Sequence, residues 1–246
     1  MASARPAAAA GPGRLEAFRP RGVVFDLDGT IVDNMALHAE AFATFVARHG
    51  IPPLTREDRV RLDGKRNREI FPILFGRPLS DAEWQAHEAE KESLYREIST
   101  GRLSPHRGFA RLLGALDAKG IPVAVATSAP AENVTHTLRE LDLAARLSTV
   151  VRADQVPRGK PFPDVFLAAA AALGAEPAAC LAFEDAPAGI AAARAAGMAC
   201  VALTTSFAAS TLLDPDTGAD AALPDFDAFL DGPGRWLRRG PAPHAS

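Results

Sequence analysis

Short apolar runs and helical periods alternate along most of this chain. The first run, residues 23–27, is rich in β-branched and aromatic side chains and ends at a turn, which is typical of a buried parallel strand. Similar runs follow at residues 121–126, 147–151, 180–183, 199–203 and 220–223. Helical periods separate these runs. The alternation predicts an α/β fold with a doubly wound, Rossmann-like parallel sheet.

The pattern changes after the first strand, because no strand is predicted between residues 31 and 104. Residues 35–103 read as helices, and Ser80 with Glu83 forms a capping-box signature that opens a helix running to about residue 98. We therefore predict a small all-helical cap at 35–103 and an α/β core made of 21–34 and 104–232. The Ala- and Pro-rich residues 1–20 are predicted to be a disordered tail, and residues 233–246 a C-terminal tail.

Composition narrows the possible partners and compartments. With 246 residues, 48% of them hydrophobic, the chain can bury a sizeable core, and a net charge of −3 does not favour nucleic-acid binding. No apolar run reaches the roughly 18 residues of a membrane span. Cys180 and Cys200 lie in apolar stretches, which indicates buried thiols and a reducing, cytoplasmic location. The six histidines lack zinc-ligand spacing, so no zinc site is predicted. A monomer is the default expectation.

Polar side chains gather at the predicted strand ends and in the adjoining loops. They are Asp26, Asp28, Thr127, Ser128, Lys160, Glu184 and Asp185. Alone, the first two are more typical of a helix cap beside a turn. Because the carboxyl ends of parallel strands share one sheet edge, all of these side chains are expected to meet there. Four carboxylates in one cleft require a cation, and oxygen ligands favour Mg²⁺, whereas the ammonium and hydroxyls suit a phosphate. The combination predicts phosphoryl transfer through an aspartyl-phosphate.

These groups also resemble the motifs of a known family, the haloacid dehalogenase (HAD) superfamily. Its four motifs are matched in order by DLDGT at residues 26–30, Thr127-Ser128, Lys160-Pro161 and Glu184-Asp185. The resemblance covers about residues 21–232. The helical insert and the acidic fourth motif are most similar to the β-phosphoglucomutase-like phosphatases and mutases.

The resemblance implies a role for each matching residue. Asp26 would be the nucleophile and Asp28 the general acid and base, which requires surroundings that separate their pKa values. Mg²⁺ would be held by Asp26, Asp185 and the Asp28 carbonyl, with Glu184 as a ligand or next to one. The transferring phosphate would be bound by Thr127, Ser128, Lys160, Gly29 and Thr30.

Cap residues are candidates for the substrate contacts. The candidates are His38, Gly64, Lys65, Asn67, Arg68 and Asn133. The loop around Gly64 is dense in cations, and it fits either an anion-binding loop or a solvated basic loop. His38 fits either a proton relay, as in the mutases of this branch, or an interdomain histidine. Trp84 and Tyr95 are predicted to be packing residues.

Together, these features predict a Mg²⁺-dependent phosphatase of small phosphorylated metabolites, with sugar phosphates as the favoured class. The alternative is a β-phosphoglucomutase-type mutase, although acidic Asp63 and the arginine spacing after Gly64 depart from the mutase pattern. A remote alternative is a catalytically silent binding module on the same fold. Asp28 disfavours a dehalogenase, and Lys65 keeps phosphonate hydrolysis as a remote option.

Overall fold

The computed structural model describes residues 12–55, 57–58, 67–214 and 218–238. Its strands are β1 (Gly22–Phe25), β2 (Val123–Thr127), β3 (Val150–Arg152), β4 (Cys180–Glu184), β5 (Ala199–Leu203) and β6 (Ala221–Leu223). They form one parallel sheet in the order β3-β2-β1-β4-β5-β6. The predicted doubly wound α/β fold is confirmed. The strand order reverses between β1 and β4, which is where such sheets bind ligands.

Helices connect and cover the strands. They are α1 (Pro12–Ala17), α2 (Met35–Arg48), α3 (Asn67–Phe75), α4 (Asp81–Ser99), α5 (Phe109–Ala118), α6 (Ala131–Glu140), α7 (Asp164–Ala172), α8 (Pro187–Ala195), α9 (Ala209–Leu212) and α10 (Phe226–Asp231). Alternating residues of β1 face opposite layers. Val23 and Phe25 pack with α5, α6 and α10, whereas Val24 packs with α7 and α8. The sheet is therefore covered on both faces, as the apolar strand sequences require.

Helices α2, α3 and α4 form a second packing unit, with an apolar cluster of its own around Phe45, Phe71 and Tyr95. Among the described residues between 35 and 103 there is no strand. The capping box at the start of α4 is present. The Glu83 amide donates to Ser80 Oγ over 3.3 Å, and the Ser80 amide donates to the Glu83 carboxylate over 2.8 Å. This local pairing satisfies amides at the helix start, which explains why α4 begins at Asp81.

The ordered core extends beyond its predicted limits at both ends. Residues 12–17, predicted as part of a disordered tail, form α1, and Leu15 is buried in the apolar layer on one face of the sheet. At the other end, residues predicted to be a tail form a 3₁₀ turn, Arg235–Arg238, with Leu237 buried. Each segment is too short to show a helical period of apolar residues, so the sequence pattern did not predict it. No described helix has the length and apolar character needed to cross a membrane.

Candidate functional site

The carboxyl ends of β1, β2 and β4 place the predicted motif residues around one cavity. Asp26 follows β1, and its amide donates to the Phe183 carbonyl of β4 over 3.0 Å. The register pairs Phe25 with Phe183, so Asp26 and Glu184 come next to each other. The cavity has a volume of about 370 Å³, and its lining includes Asp26, Asp28, Thr127, Ser128, Lys160, Glu184 and Asp185. The structure thus brings together all seven polar residues expected at this edge.

Lys160 is the cation of this cavity. Its side chain is only 7% exposed, and Nζ donates to Asp26 Oδ1 over 2.5 Å and to Glu184 Oε1 over 2.6 Å. Burial lowers the pKa of Lys160, but the two carboxylates raise it by more, so its pKa lies above the usual value. The ammonium is therefore charged at neutral pH, and it holds the nucleophile candidate in a fixed orientation.

One ammonium does not balance three buried carboxylates. Burial raises the pKa of Asp26 well above its usual value, with Glu184 and Asp185 adding to the rise and Lys160 opposing it. Burial and the Glu184 charge likewise raise the pKa of Asp185 to about 7. One carboxylate oxygen from each of Asp26, Glu184 and Asp185 lies within 4.8 Å of the others. This oxygen-only donor set with excess negative charge fits a hard divalent cation such as Mg²⁺.

Hydrogen bonds fix the two acidic residues at the carboxyl end of β4. Glu184 Oε2 accepts from the amides of Asp185 (2.9 Å) and Ala186 (3.0 Å), just before α8. Asp185 Oδ1 accepts from the Thr30 hydroxyl over 3.0 Å, and Ser206 donates to Oδ2. Ser206 carried no motif that would have identified it from the sequence. These contacts pre-organise both carboxylates at the cavity wall.

Gly29 and Thr30 lie next to Asp185 in the loop that follows β1. Gly29 has φ +76°, and a Cβ there would lie 2.2 Å from Asp185 Oδ2, so only glycine fits. Its amide already donates to the Val32 carbonyl (2.9 Å) and to Asn34 Oδ1 (3.2 Å), and Thr30 is fully buried against Asp185. The Gly29 amide and the Thr30 hydroxyl thus already have acceptors inside the protein, and the contact of these two residues with phosphate stays a prediction.

Asp28 lies where this cavity meets the cap. Its Oδ1 accepts from Asn34 Nδ2 over 2.6 Å and lies 3.7 Å from His38 Nε2. Burial raises the pKa of Asp28, but His38 and Asn34 lower it by more, so its pKa is below the usual value. The surroundings do separate the two pKa values, with Asp26 the higher and Asp28 the lower. The expected roles require the opposite order, because the nucleophile Asp26 must be ionised while the acid Asp28 holds a proton. A divalent cation beside Asp26 would favour its ionised form.

A second cavity of about 420 Å³ extends from Asp28 into the cap. Its lining includes His38, Asn67, Arg68, Trp84, Glu88, Lys91 and Glu92. Three of the predicted cap residues are therefore in place: His38, Asn67 and Arg68. Gly64 and Lys65 lie outside the described residues. Trp84, predicted to be a packing residue, packs against the apolar cluster of the cap and also lines this cavity, with the Arg68 guanidinium 5.6 Å from its ring centre.

Asn133, a predicted substrate contact, is instead buried between the core and the cap. Its Nδ2 donates to Glu92 Oε2 over 2.5 Å, and its Oδ1 accepts from Arg96 over 2.8 Å. The other oxygen of Glu92 accepts from Lys91 (2.9 Å) and from Asn67 (2.6 Å). This buried polar network joins α6 of the core to α4 of the cap, so Asn133 is placed to hold the cap in position.

Two further residues beside Asp28 were missed from the sequence as site residues. Tyr95 is fully buried, its ring stacks on His38 at 3.9 Å, and its hydroxyl accepts from Asn34 Nδ2 over 2.6 Å. The signal for Tyr95 was present, because Glu88, Lys91, Glu92 and Tyr95 follow the i, i+3, i+4, i+7 spacing of one helix face. Asn34 gave no such signal, because its hydrogen bond to Tyr95 joins residues that are 61 positions apart in the chain.

Comparisons with known proteins agree with this geometry. The family model for haloacid dehalogenase-like hydrolases matches residues 20–197. The chain is 32% identical over 232 residues to a validoxylamine A 7'-phosphate phosphatase from Streptomyces hygroscopicus subsp. limoneus, covering 89% of this chain and 98% of that protein. It is 34% identical over 189 residues to a β-phosphoglucomutase from Bacillus subtilis (strain 168), covering 72% of this chain and 80% of that protein.

A solved structure shares the fold across nearly the whole chain. It is a HAD hydrolase of family IA, variant 3, from Entamoeba histolytica HM-1:IMSS, with a TM-score of 0.81 and 26% identity. The match covers 89% of this chain and 99% of the other. The similarity therefore shows the α/β fold of this chain.

Proposed function

The chain belongs to the haloacid dehalogenase-like hydrolases, and on this premise we propose that it is a Mg²⁺-dependent phosphatase of small phosphorylated carbohydrates. The observation that carries the proposal is the cavity in which Asp26 contacts Lys160 while Asp28 and Thr127 line the same space. A carboxylate nucleophile, an ammonium for phosphate and a second carboxylate at the cap side are the groups that hydrolysis through an aspartyl-phosphate needs.

Asp26 is the proposed nucleophile. Its backbone is fixed at the end of β1 by the hydrogen bond to β4, and its carboxylate is oriented by Lys160. The Lys160 ammonium and the Thr127 hydroxyl are the groups placed to bind the oxygens of the phosphoryl group. Asp26, Asp185 and Glu184 are the carboxylates that would hold Mg²⁺, which would neutralise charge on the phosphate.

Asp28 is the proposed group that moves protons. Its hydrogen bond from Asn34 and the nearby His38 favour the carboxylate form, which can accept a proton from the water that attacks the phosphoenzyme. Protonation of the leaving oxygen is the reverse transfer through the same atom. Asp28 lines both cavities, so it lies between the phosphate pocket and the space for the remainder of the substrate.

The cap cavity supports a polar, hydroxyl-rich substrate. Its wall offers carboxylate, amide and cationic groups together with the Trp84 ring, and such a mixture is suited to hydroxyl hydrogen bonds and to stacking against a sugar. The name of the Streptomyces relative points to a phosphorylated carbohydrate-like substrate for that protein. We infer a substrate of the same class here.

A β-phosphoglucomutase activity is the second candidate. Arg68 and Lys91 place two cations at the cap cavity, where a second phosphate would have to bind, and the Bacillus relative carries that name. Lys91 already pairs with Glu92 at 2.9 Å inside the protein. This pairing reduces the charge available for a second phosphate and favours the phosphatase.

The test is phosphate release from a panel of sugar, polyol and other small phosphomonoesters, with and without Mg²⁺. We expect Mg²⁺-dependent turnover of one or more sugar phosphates. Asp26→Asn should remove it while circular dichroism stays unchanged. The matched control is Asp117→Asn, which alters an exposed carboxylate outside the cavity. Absence of turnover for every phosphomonoester, or activity retained in Asp26→Asn, would overturn the proposal. Conversion of glucose 1-phosphate to glucose 6-phosphate with a bisphosphate primer would identify the mutase instead.

A further inference from the structure

The cap carries a cluster of two imidazoles and a carboxylate that the proposed reaction does not use. His49 lies at the end of α2, and His87 and Glu90 lie one turn apart on α4. His49 Nε2 and Glu90 Oε2 are 2.8 Å apart. One potential ligand atom from each of the three residues lies within 4.8 Å of the others. Two helices thus direct three potential metal ligands into one small volume.

His87 is the unusual member of this cluster. Its ring stacks on Phe75 at 4.4 Å and lies 5.7 Å from the ring of Phe45, and its edge approaches His49 at 5.0 Å. Among the described residues, neither ring nitrogen of His87 has a hydrogen-bond partner. Burial and the neighbouring His49 both lower the pKa of His87.

We propose that His49, His87 and Glu90 bind a divalent transition-metal ion, with Zn²⁺ as the best fit. Two imidazoles and one carboxylate are a donor set that zinc accepts, with a fourth position left for water. Metal–ligand bonds of about 2.0–2.1 Å put the ligand atoms of a tetrahedral site about 3.4 Å apart. The His49–Glu90 separation of 2.8 Å is near this value, and a potential ligand atom of His87 lies within 4.8 Å of both.

The surroundings favour such a site. The phenylalanine rings around His87 pack against one side of the cluster, and Arg48 lies 3.7 Å from Glu90 Oε1, whereas Oε2 is the oxygen that faces His49. The site differs from the Asp26 cavity in its chemistry, because it offers nitrogen ligands whereas that cavity offers only oxygen. The sequence predicted no zinc site, since His49 and His87 are far apart in the chain.

A bound ion would link α2 to α4 within the cap. The same two helices carry His38 and Lys91, which line the cap cavity. An ion bound at the proposed site would therefore hold the two helices together without contacting the substrate. Its occupancy should change the stability of the cap more than the chemical step.

The experiment is a Zn²⁺ titration of the full chain by calorimetry, in saturating Mg²⁺ so that the carboxylate cavity is occupied. We expect one equivalent of Zn²⁺ to bind with a rise in Tm, and Co²⁺ bound in its place to give the visible absorption of a tetrahedral site. His87→Phe keeps the aromatic stack but removes a ligand, and Glu90→Gln removes the charged ligand. The control is Glu97→Gln, an exposed residue of the same helix.

Metal binding alone, without an activity measurement, decides whether the proposed site exists. Loss of the Zn²⁺ equivalent and of the Co²⁺ absorption in His87→Phe and in Glu90→Gln, with both retained in Glu97→Gln, supports the site. Equal Zn²⁺ binding by the native protein and His87→Phe would overturn it. So would the absence of any Zn²⁺ binding in the presence of Mg²⁺. The phosphatase proposal is unaffected by either outcome, since its test uses Mg²⁺ and phosphate release.

Discussion

Replacing Asn133 with aspartate tests whether the cap must dock on the core through the buried network. Asn133 is 1% exposed and donates to Glu92 Oε2 over 2.5 Å. Burial raises the pKa of Glu92, but Lys91 and His38 lower it by more, so Glu92 is ionised. Asn133→Asp changes almost no volume, but it removes the donor and places a second carboxylate against Glu92.

The penalty can be worked from charges and pKa values. Two unit charges about 4 Å apart repel by about 4 kcal/mol at an effective dielectric constant of 20. Protonation of one of the two carboxylates would remove this repulsion. Keeping a carboxyl with an ordinary pKa of about 4.3 protonated at pH 7 costs about 3.7 kcal/mol, so the penalty cannot exceed about this value. A stronger bond from Arg96 offsets roughly 1–2 kcal/mol. On the proposal that turnover requires the docked cap, the net penalty of about 2–3 kcal/mol predicts a fall in kcat/KM of about 30- to 150-fold at pH 7.

The pH dependence identifies the cause. The docked Asn133→Asp protein has a raised pKa at the carboxylate pair, so it binds one more proton than the undocked form. Docking is therefore weakest above this pKa and recovers as the pH falls towards 5. Asn133→Ala removes the same donor without adding charge. We expect a loss of about tenfold for Asn133→Ala, from one lost bond to a charged group, and no dependence of that loss on pH.

The assay is release of inorganic phosphate from the best substrate between pH 5 and 8, expressed as the ratio of native to variant kcat/KM. The ratio cancels the pH dependence of the shared catalytic groups. Urea unfolding at each pH shows whether the variant remains folded. A ratio for Asn133→Asp that is close to one, or that does not change between pH 5 and 7.5, would refute the docking role of Asn133.

Two further predictions concern helices, the first comparing two glycine variants and the second removing a helix cap. Gly189→Ala would place a Cβ 1.6 Å from Glu184 Oε1 and displace the partner of Lys160, so kcat should fall by about 10²-fold. In Gly114→Ala the Cβ meets nothing within 4 Å, so this variant should gain about 0.5–1 kcal/mol in urea unfolding with unchanged kcat. Ser80→Ala removes the cap of α4 and should lose about 1 kcal/mol in the same measurement, again with native kcat. Equal kcat values for the two glycine variants would contradict the first of these predictions, and unchanged unfolding of Ser80→Ala the second.

The core of the site could be predicted because local sequence determines it. A run such as residues 23–25 forms a strand from its own side chains, and a parallel sheet then brings Asp26 to the same edge as Glu184. The capping box at Ser80 is equally local, since its two partners are three residues apart. The capping box lies within one helix turn, and the meeting of Asp26 and Glu184 needs only the parallel sheet that the alternation of strands and helices already predicts.

The cap contacts could not be predicted in the same way. Glu92 and Asn133 are brought together only when α4 packs against α6, and neither residue has a local pattern that names the other. The same holds for His49 and His87, which are on different helices. The sequence does show polar residues spaced along one face of α4. Without knowledge of the residues that pack against this face, the same spacing is equally typical of a helix face exposed to solvent. Such pairings are set by tertiary structure.

Asn34 shows how the local and the tertiary parts depend on each other. It precedes the first residue of α2, where the core loop after β1 enters the cap, and its amide donates both to Asp28 of the core and to the Tyr95 hydroxyl of the cap. His38 and, after it, the hydrogen bond from Asn34 lower the pKa of Asp28, so both groups that do this depend on cap packing. A displaced cap would move these groups and would also expose the carboxyl to water, and the two changes shift the pKa of Asp28 in opposite directions. Cap docking and the surroundings of Asp28 are therefore linked through Asn34, and we infer that the cap serves the proton transfer of the proposed phosphatase as well as its choice of substrate.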